Sequence, residues 1–284
     1  MKRIIKLLGL VLILSLTGCF KNQSMEDITI YTTSYPIEYV TNRLYKEHST
    51  IKSIYPNGVD INKYKITDTL IKKYDDNDMY IFDGLTKERN YVKPMRNQNK
   101  NLKIIDVTND ITYQHANEDL WLDPSSLLSI ANNIRKGFNE YLNATYLIDE
   151  INNNYNELKI DLTSLESKYR EELANTKYDT IVISDDMFLF LENYGLNVIS
   201  LDKDNENYDK NIIEVKKLIY TGYLKYIFIP DTDTNNNNLN NYSVEKLKLN
   251  TLSNLTDEQR ENYDYISLMN ENLETLKKQL NYEE

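Results

Sequence analysis

The sequence predicts an α/β protein of two lobes, each with a parallel sheet flanked by helices, joined by one long spine helix. Short apolar runs rich in β-branched residues alternate with segments whose apolar residues recur at helical spacing, which favours parallel strands covered by helices. The alternation occurs twice, on either side of a long amphipathic segment that contains neither Pro nor Gly. Two similar halves around one helix are therefore expected.

The N-terminal lobe is predicted over residues 27–142. Its strands are expected at 28–33, 51–56, 79–84 and 102–107. Helical spacing indicates intervening helices over 36–47 and 66–74. The stretch Asp123-Pro124-Ser125 is typical of a helix start, because proline and small polar residues suit the first turn. A further helix is therefore predicted up to residue 142.

The linking spine helix is predicted over residues 143–175. Its apolar side chains, from Leu147 to Tyr169, recur at three- and four-residue spacing. At 1.5 Å per residue an unbroken helix here would span about 45 Å. A coiled-coil partner would also suit this pattern, but a rigid connection between two α/β halves is the simpler interpretation.

The C-terminal lobe is predicted over residues 176–284. Strands are expected at 179–184, 196–201 and 226–230. Helices are expected at 187–195, 212–222 and from about 256 to 280. The polar stretch 231–241, which includes the asparagine run 235–238, has the composition of a surface loop.

The N-terminus has the features of a bacterial lipoprotein precursor. Residues 1–18 combine a basic start with a short apolar run, which indicates a signal peptide rather than a membrane span. The run closes on Leu16-Thr17-Gly18-Cys19, which matches a lipobox. Lipidation of Cys19 would anchor the protein to the outer face of the cell membrane, with residues 19–26 as the tether. A plain signal peptide with a chance cysteine is the alternative.

Composition excludes several classes of protein. The net charge of −11 argues against nucleic acid as a partner, because phosphates need a basic face. Cys19 is the only cysteine, so neither a disulfide nor a thiolate metal site is expected. The chain lacks a Gly-x-Ser-x-Gly motif and has only 7 glycines, which disfavours a serine hydrolase and a phosphate-binding glycine loop. We therefore do not expect an enzyme. The protein is also expected to be a monomer.

Five motifs, in the order expected for one family, carry a resemblance that covers nearly the whole mature chain. They are Gly58 to Tyr64, Met79 to Gly84, Asp119 to Pro124, Ser184 to Leu196, and Leu249 to Leu252. Each is weak alone, but Trp-Leu-Asp-Pro at 121–124 is intact. Together they resemble the zinc and manganese solute-binding lipoproteins of bacterial ABC importers. The resemblance implies an extracytoplasmic receptor that captures a divalent metal ion between its lobes and delivers it to a permease.

The resemblance also implies the metal ligands. The four ligand positions are occupied here by Asn62, Asp119, Asp185 and Asn250, where the family usually has histidines with a carboxylate. This oxygen-only set disfavours zinc and suits Mn²⁺, Mg²⁺ or Ca²⁺, with waters or Asp186 completing the shell. The transported ion is therefore expected to be Mn or Zn by resemblance, with an altered or weakened preference.

Two alternatives stay open for these residues. A degenerate family member would have lost tight metal binding and would act as a surface or adhesion lipoprotein. Asp119 and Asp185 would merely cap helices if neither bound a cation, since carboxylates favour helix N-termini. The two histidines, His48 and His115, lie off the motifs and are interpreted as solvated surface residues, with a supporting role for His115 beside Asp119 left open.

Overall fold

A computed structural model of the chain describes residues 25–74, 76–115, 119–233, 239 and 241–282. Cys19, the predicted signal peptide and nearly all of the predicted tether lie outside the described residues, as does the asparagine run 235–238. Within the described part of the chain, no helix has the length and apolar character needed to cross a bilayer.

The first sheet has four parallel strands in the order β2-β1-β3-β4. The strands are β1 (Ile28–Thr32), β2 (Ser49–Ser53), β3 (Met79–Phe82) and β4 (Lys103–Asp106). The central strand β3 is buried at every position, because helices cover both faces of the sheet. All four lie within two residues of their predicted positions at each end, apart from β2, which ends three residues early.

Helices of very different length connect these strands. They are α1 (Tyr35–Tyr45), α2 (Asp68–Ile71) and α3 (Val92–Gln98). The predicted helix 66–74 is only the single turn α2, which Thr67 begins by accepting a hydrogen bond from the Leu70 amide. Short 3₁₀ segments at Lys46–His48 and Lys87–Tyr91 complete the connections.

Two long helices follow the first sheet. α4 spans Pro124–Tyr141, and Asp123 caps it by accepting a hydrogen bond from the Ser126 amide. α5 spans Thr145–Ala174, 30 residues without a break, and it is the predicted spine helix. Its buried residues lie on one face and pack against both halves of the chain, as the apolar spacing predicts.

The second sheet repeats the topology of the first, with parallel strands in the order β6-β5-β7-β8. The strands are β5 (Thr180–Ile183), β6 (Asn197–Ser200), β7 (Tyr226–Pro230) and β8 (Glu245–Leu249). The helices are α6 (Tyr208–Tyr220), α7 (Asp257–Asn262) and α8 (Tyr265–Leu280). The predicted two-lobed α/β architecture with one long helix is thus confirmed.

Three details of this half differ from the sequence-based expectation. Strand β8 was not predicted, because it is an edge strand whose residues, apart from Leu249, are half-buried or exposed. The segment predicted as a helix at 187–195 is a 3₁₀ segment, Asp186–Tyr194. The helix predicted from 256 to 280 is broken at Tyr263, since Asp264 starts α8 with its own capping box.

Trp121 ties the two lobes together. Its ring is 4% exposed, and its indole Nε1–H donates a 3.0 Å hydrogen bond to the carbonyl of Thr251. Its own carbonyl accepts a 2.7 Å hydrogen bond from the hydroxyl of Tyr265. Both partners belong to the C-terminal half, so the only tryptophan in the chain is a buried contact between lobes.

Candidate metal centre

The candidate site lies between the two sheets, near the carboxyl ends of their strands. This is where open parallel sheets bind ligands, because the segments that follow the strands meet there. A cavity of about 280 Å³ opens between the lobes. Its lining residues from the first lobe are Asp60, Asn62 and Lys63, and those from the second lobe include Ser184, Asp185, Met187, Thr232 and Asp233. Two of the predicted ligands, Asn62 and Asp185, therefore line one cavity.

The backbone around Asn62 is held from two sides. Asp60 Oδ1 accepts a 3.0 Å hydrogen bond from the Asn62 amide. The Lys87 ammonium donates to the carbonyls of Ile61, Asn62 and Tyr64 over 2.6, 3.0 and 3.1 Å. The Asn62 residue itself is exposed, so the loop is fixed while its amide side chain faces solvent at the cavity.

Asp119 is a half-buried carboxyl of the first lobe whose charge is repelled by Asp185 of the second lobe. Burial raises the pKa of the Asp119 carboxyl well above its ordinary value, and repulsion from Asp185 and Asp83 raises it further. Asp119 precedes the 3₁₀ segment Leu120–Leu122, yet its side chain makes no capping hydrogen bond there. The carboxylate therefore has no helix-capping role in this structure, and it faces like charges from both lobes.

Asp185 does cap the segment that follows it. Its Oδ1 accepts a 3.0 Å hydrogen bond from the amide of Met187. Burial raises the pKa of the Asp185 carboxyl, the hydrogen bond from Met187 opposes that shift, and repulsion from Asp202, Asp186 and Asp233 adds to it. The capping role predicted as one alternative is thus observed for Asp185, and its second oxygen is not used in that cap.

Asn250 has a different environment. Its Oδ1 accepts a 2.8 Å hydrogen bond from the Leu252 amide, and its backbone exchanges two hydrogen bonds with the Asn272 side chain, of 2.7 and 2.8 Å. Among the described residues that line the cavity, neither Asn250 nor Asp119 is present. Of the four predicted ligands, Asn62 and Asp185 line the same cavity, Asp119 is repelled by Asp185, and Asn250 closes a turn.

Asp83 is a buried carboxyl whose charge acts on Asp119 and to which the motifs assigned no role. It directly follows the buried strand β3, and its Oδ1 accepts hydrogen bonds from the Leu85 amide and the Thr108 hydroxyl over 2.8 and 3.1 Å. Burial raises the pKa of its carboxyl, and nearby Glu88 and Asp106 add to the shift. The signal in the sequence was an aspartate at the carboxyl end of a fully apolar strand.

Gly84 lies against the Asp106 carboxylate. A Cβ at position 84 would lie 1.9 Å from Oδ2 of Asp106, so a larger residue would have to displace that side chain. Its amide points at Oδ1 of Asp106 and at the Thr108 hydroxyl, 3.1 and 3.0 Å away. The glycine that ends the strand motif therefore leaves room for the Asp106 carboxylate to accept a hydrogen bond from its amide.

Within the described residues, no three His, Cys, Asp or Glu side chains converge at the cavity between the lobes. Across the described residues, one group of three His, Cys, Asp or Glu side chains has its ligand atoms within 4.8 Å of one another, and it is Glu47, His48 and Glu150, outside the cavity. The repulsion that acts on Asp119 therefore comes from Asp185 and Asp83 as separate carboxylates, not from a cluster of three ligand groups.

Both histidines pair with a glutamate. His48 Nε2 lies 3.0 Å from Oε2 of Glu150, and His115 Nε2 lies 3.2 Å from Oε2 of Glu192. The two histidine side chains are 22% and 30% exposed, so they are partly covered rather than fully solvated as the sequence suggested. Neither lines the cavity between the lobes that holds Asn62 and Asp185, as far as the described residues define it.

Solved structures share this architecture. The Zn(II)-bound ZnuA-like domain of Streptococcus pneumoniae AdcA is 22% identical, with 90% of this chain and 100% of that chain covered and a TM-score of 0.75. The metal-dependent lipoprotein YcdH of Bacillus subtilis is 20% identical over 89% and 99% of the chains, with a TM-score of 0.74. The laminin-binding protein Lbp of Streptococcus pyogenes is 17% identical over 90% and 99%, with a TM-score of 0.72. At these identities the likeness shows the fold.

The family is shown by the sequence itself. Residues 30–279 match the model of ZnuA, described as zinc-uptake complex component A, periplasmic. No curated protein sequence matches the chain significantly. Members of this family are extracytoplasmic metal-binding components of ABC uptake systems rather than enzymes, in agreement with the predictions. With the fold and nearly the whole described chain matched, the protein belongs to the ZnuA family.

Proposed function

We propose that this receptor binds a divalent cation between Asp119 of the first lobe and Asp185 of the second. The observation that supports the proposal is the repulsion between these two carboxylates across the cleft. Like charges held together are costly to ionise, and a bound cation removes that cost. A cation is therefore the ligand whose charge best suits this position.

The remaining members of the proposed ligand set are Asn62 and Asn250. Asn62 contributes an exposed amide to the cavity that Asp185 lines. The Oδ1 atom of Asn250 already accepts one hydrogen bond, and a carbonyl oxygen has a second lone pair for a cation. Asp83, buried beside Asp119, supplies a third carboxylate that the sequence comparison did not include.

The chemistry of this set indicates an altered metal preference. Zinc in proteins favours imidazole and thiolate ligands, whereas carboxylate and amide oxygens suit Mn²⁺, Mg²⁺ and Ca²⁺. Such cations usually take six or more ligands, so waters complete the shell. We propose that this site binds Zn²⁺ more weakly than a set of histidines would. We also propose that it binds Mn²⁺ more tightly than Zn²⁺.

The surroundings of the receptor follow from the same proposal. Lipidation of Cys19 would hold the protein at the outer face of the membrane, next to its permease, as a monomer. We place the functional units at residues 27–142, 143–175 and 176–284, after a signal peptide of residues 1–18 and a tether of residues 19–26. The long helix α5 between the two sheets would limit lobe closure, so capture would depend on small loop movements.

The melting temperature tests the proposal. After chelation, Mn²⁺, Zn²⁺, Ca²⁺ and Mg²⁺ are added singly at graded concentrations. A ligand of the native state adds about 2.7 kcal/mol at a hundredfold excess over its Kd, so a real site gives a saturable shift. The shift should be lost in Asp119→Asn and Asp185→Asn and kept in Asp209→Asn, a control on an exposed residue of α6.

The second candidate function is a surface or adhesion lipoprotein that has given up tight metal binding. It is favoured by one observation, namely that no three His, Cys, Asp or Glu side chains converge at the cavity among the described residues. This function predicts no saturable shift with any of the four cations. It also predicts that Asp119→Asn and Asp185→Asn change the melting temperature equally with and without metal.

A further inference from the structure

A second set of side chains that could bind a metal lies at the amino end of β2, at the end of the first sheet opposite the cleft. Glu47, His48 and Glu150 have their ligand atoms within 4.8 Å of one another. His48 ends the 3₁₀ segment directly before β2, and Glu150 lies in the second turn of α5. The cleft follows the carboxyl ends of the strands, whereas this set lies at the amino end of β2, so the two places are separate.

The geometry of the pair at its centre suits a shared ion. His48 Nε2 and Glu150 Oε2 are 3.0 Å apart. Two adjacent ligands of a six-coordinate ion at bonds of about 2.1 Å are separated by about 3 Å. The imidazole is held by the edges of two neighbouring rings, Tyr45 and Tyr146, each with its centroid 6.5 Å away. The Nε2 atom is therefore fixed toward Glu150.

The donor types differ from those of the cleft. One imidazole nitrogen with two carboxylate oxygens suits Zn²⁺, Ni²⁺, Co²⁺ and Cu²⁺, which bind nitrogen ligands more strongly than Mg²⁺ or Ca²⁺ do. The ammonium of the neighbouring Lys46 lies 3.9 Å from Oε2 of Glu157, which is two turns after Glu150 in α5. We propose that Glu47, His48 and Glu150 bind one divalent transition-metal ion, separate from the cation carried in the cleft, which ties the turn before β2 to α5.

His115 provides an internal comparison. Like His48, it lies beside one glutamate, with its Nε2 3.2 Å from Oε2 of Glu192. Within the described ranges, however, no third carboxylate, thiol or imidazole completes a group around His115. A site-specific ion should therefore distinguish the only two histidines of the chain, whereas adventitious binding to surface histidines should not.

The test is a titration of the full chain with Zn²⁺, followed by NMR of its isotope-labelled histidines. The expected result is a saturable shift of the His48 imidazole resonances at a Zn²⁺ concentration that leaves His115 unchanged, with His48→Asn used for assignment. Glu150→Gln should weaken this response about tenfold or more. Glu157→Gln, a matched change on the same helix, should leave it unchanged, and a melting curve confirms that each variant is folded.

Three results would overturn the proposal. They are equal responses of His48 and His115, the absence of any saturable response of His48, and a His48 response that Glu150→Gln leaves intact. Because the cleft ligand set contains no histidine, each of these results is independent of cation binding at Asp119 and Asp185. Loss of cleft binding in Asp119→Asn or Asp185→Asn would likewise leave the His48 resonances unaffected.

Discussion

The hydroxyl of Tyr194 donates a 2.6 Å hydrogen bond to Oδ1 of Asp123 across the boundary between the lobes. Both residues are buried, with 6% and 4% of their surface exposed. The other oxygen of Asp123 accepts hydrogen bonds from Ser125 and Ser126 at the start of α4. One carboxylate thus begins a helix of the first lobe and accepts a hydrogen bond from the second.

Tyr194→Phe should lower the free energy of unfolding by about 2 kcal/mol, because it removes a buried hydrogen bond to a charged group. Chemical denaturation followed by the fluorescence of Trp121 measures the change. Tyr220→Phe is the matched control, since Tyr220 is 92% exposed and should alter stability very little. Equal effects of the two changes would show that the hydrogen bond from Tyr194 to Asp123 contributes nothing to the free energy of unfolding.

Lys87→Met should loosen the loop that carries Asn62. The change keeps the length of the side chain but removes three hydrogen bonds to backbone carbonyls of that loop. Faster amide exchange at residues 61–64 is expected, together with cation binding weakened by about tenfold, or about 1.4 kcal/mol. Lys93→Met, at an exposed position of α3, is the control for removing one positive charge. Unchanged exchange in the loop would contradict the anchoring role of Lys87.

Asp119→Asn should stabilise the metal-free protein at pH 7. A carboxyl with a raised pKa in the folded state binds its proton more tightly than the unfolded chain does, so stability falls as the pH rises above about 4. The gain from the variant should disappear below that pH, where the carboxyl is protonated in both states. Each 1 kcal/mol of gain appears as about 2–4 °C in the melting temperature of a chain of this size.

The control for this experiment is Asp209→Asn on the exposed surface of α6. It should show no gain that depends on pH. Asp185→Asn should gain less than Asp119→Asn, because the variant also weakens the hydrogen bond that Asp185 accepts from Met187. A loss of stability in Asp119→Asn at pH 7 would contradict the strain between the carboxylates and would favour a structural role for Asp119.

Most of the fold could be predicted from sequence because its signals are local. The apolar runs of β1, β3, β5 and β7 mark buried central strands, and the spacing from Leu147 to Tyr169 marks the buried face of α5. Strand β8 escaped prediction because an edge strand with alternating lysines resembles a solvated segment. The break before α8 depends on the capping box of Asp264 and Ser267, which competes with an otherwise continuous helical pattern.

The site was predicted less completely, since it depends on distances between lobes. The motifs identify Asp119 and Asp185, and in the structure repulsion from Asp185 raises the pKa of the Asp119 carboxyl. The motifs also name Asn250, but they do not predict that its side chain closes a turn by accepting a hydrogen bond from the Leu252 amide, because that bond depends on local backbone conformation. Asp83 belongs to a motif that was identified by its final glycine. The buried Asp83 carboxylate nevertheless adds to the repulsion on Asp119.

The most direct test of the central claim is anomalous diffraction from crystals grown with Mn²⁺. We predict an anomalous peak between the lobes, within about 2.0–2.6 Å of carboxylate oxygens of both Asp119 and Asp185. That result would locate the carried cation and identify its ligands at once. A cleft without a peak at saturating Mn²⁺, in crystals where the metal is found only elsewhere on the protein, would contradict the claim that these two aspartates bind the ion.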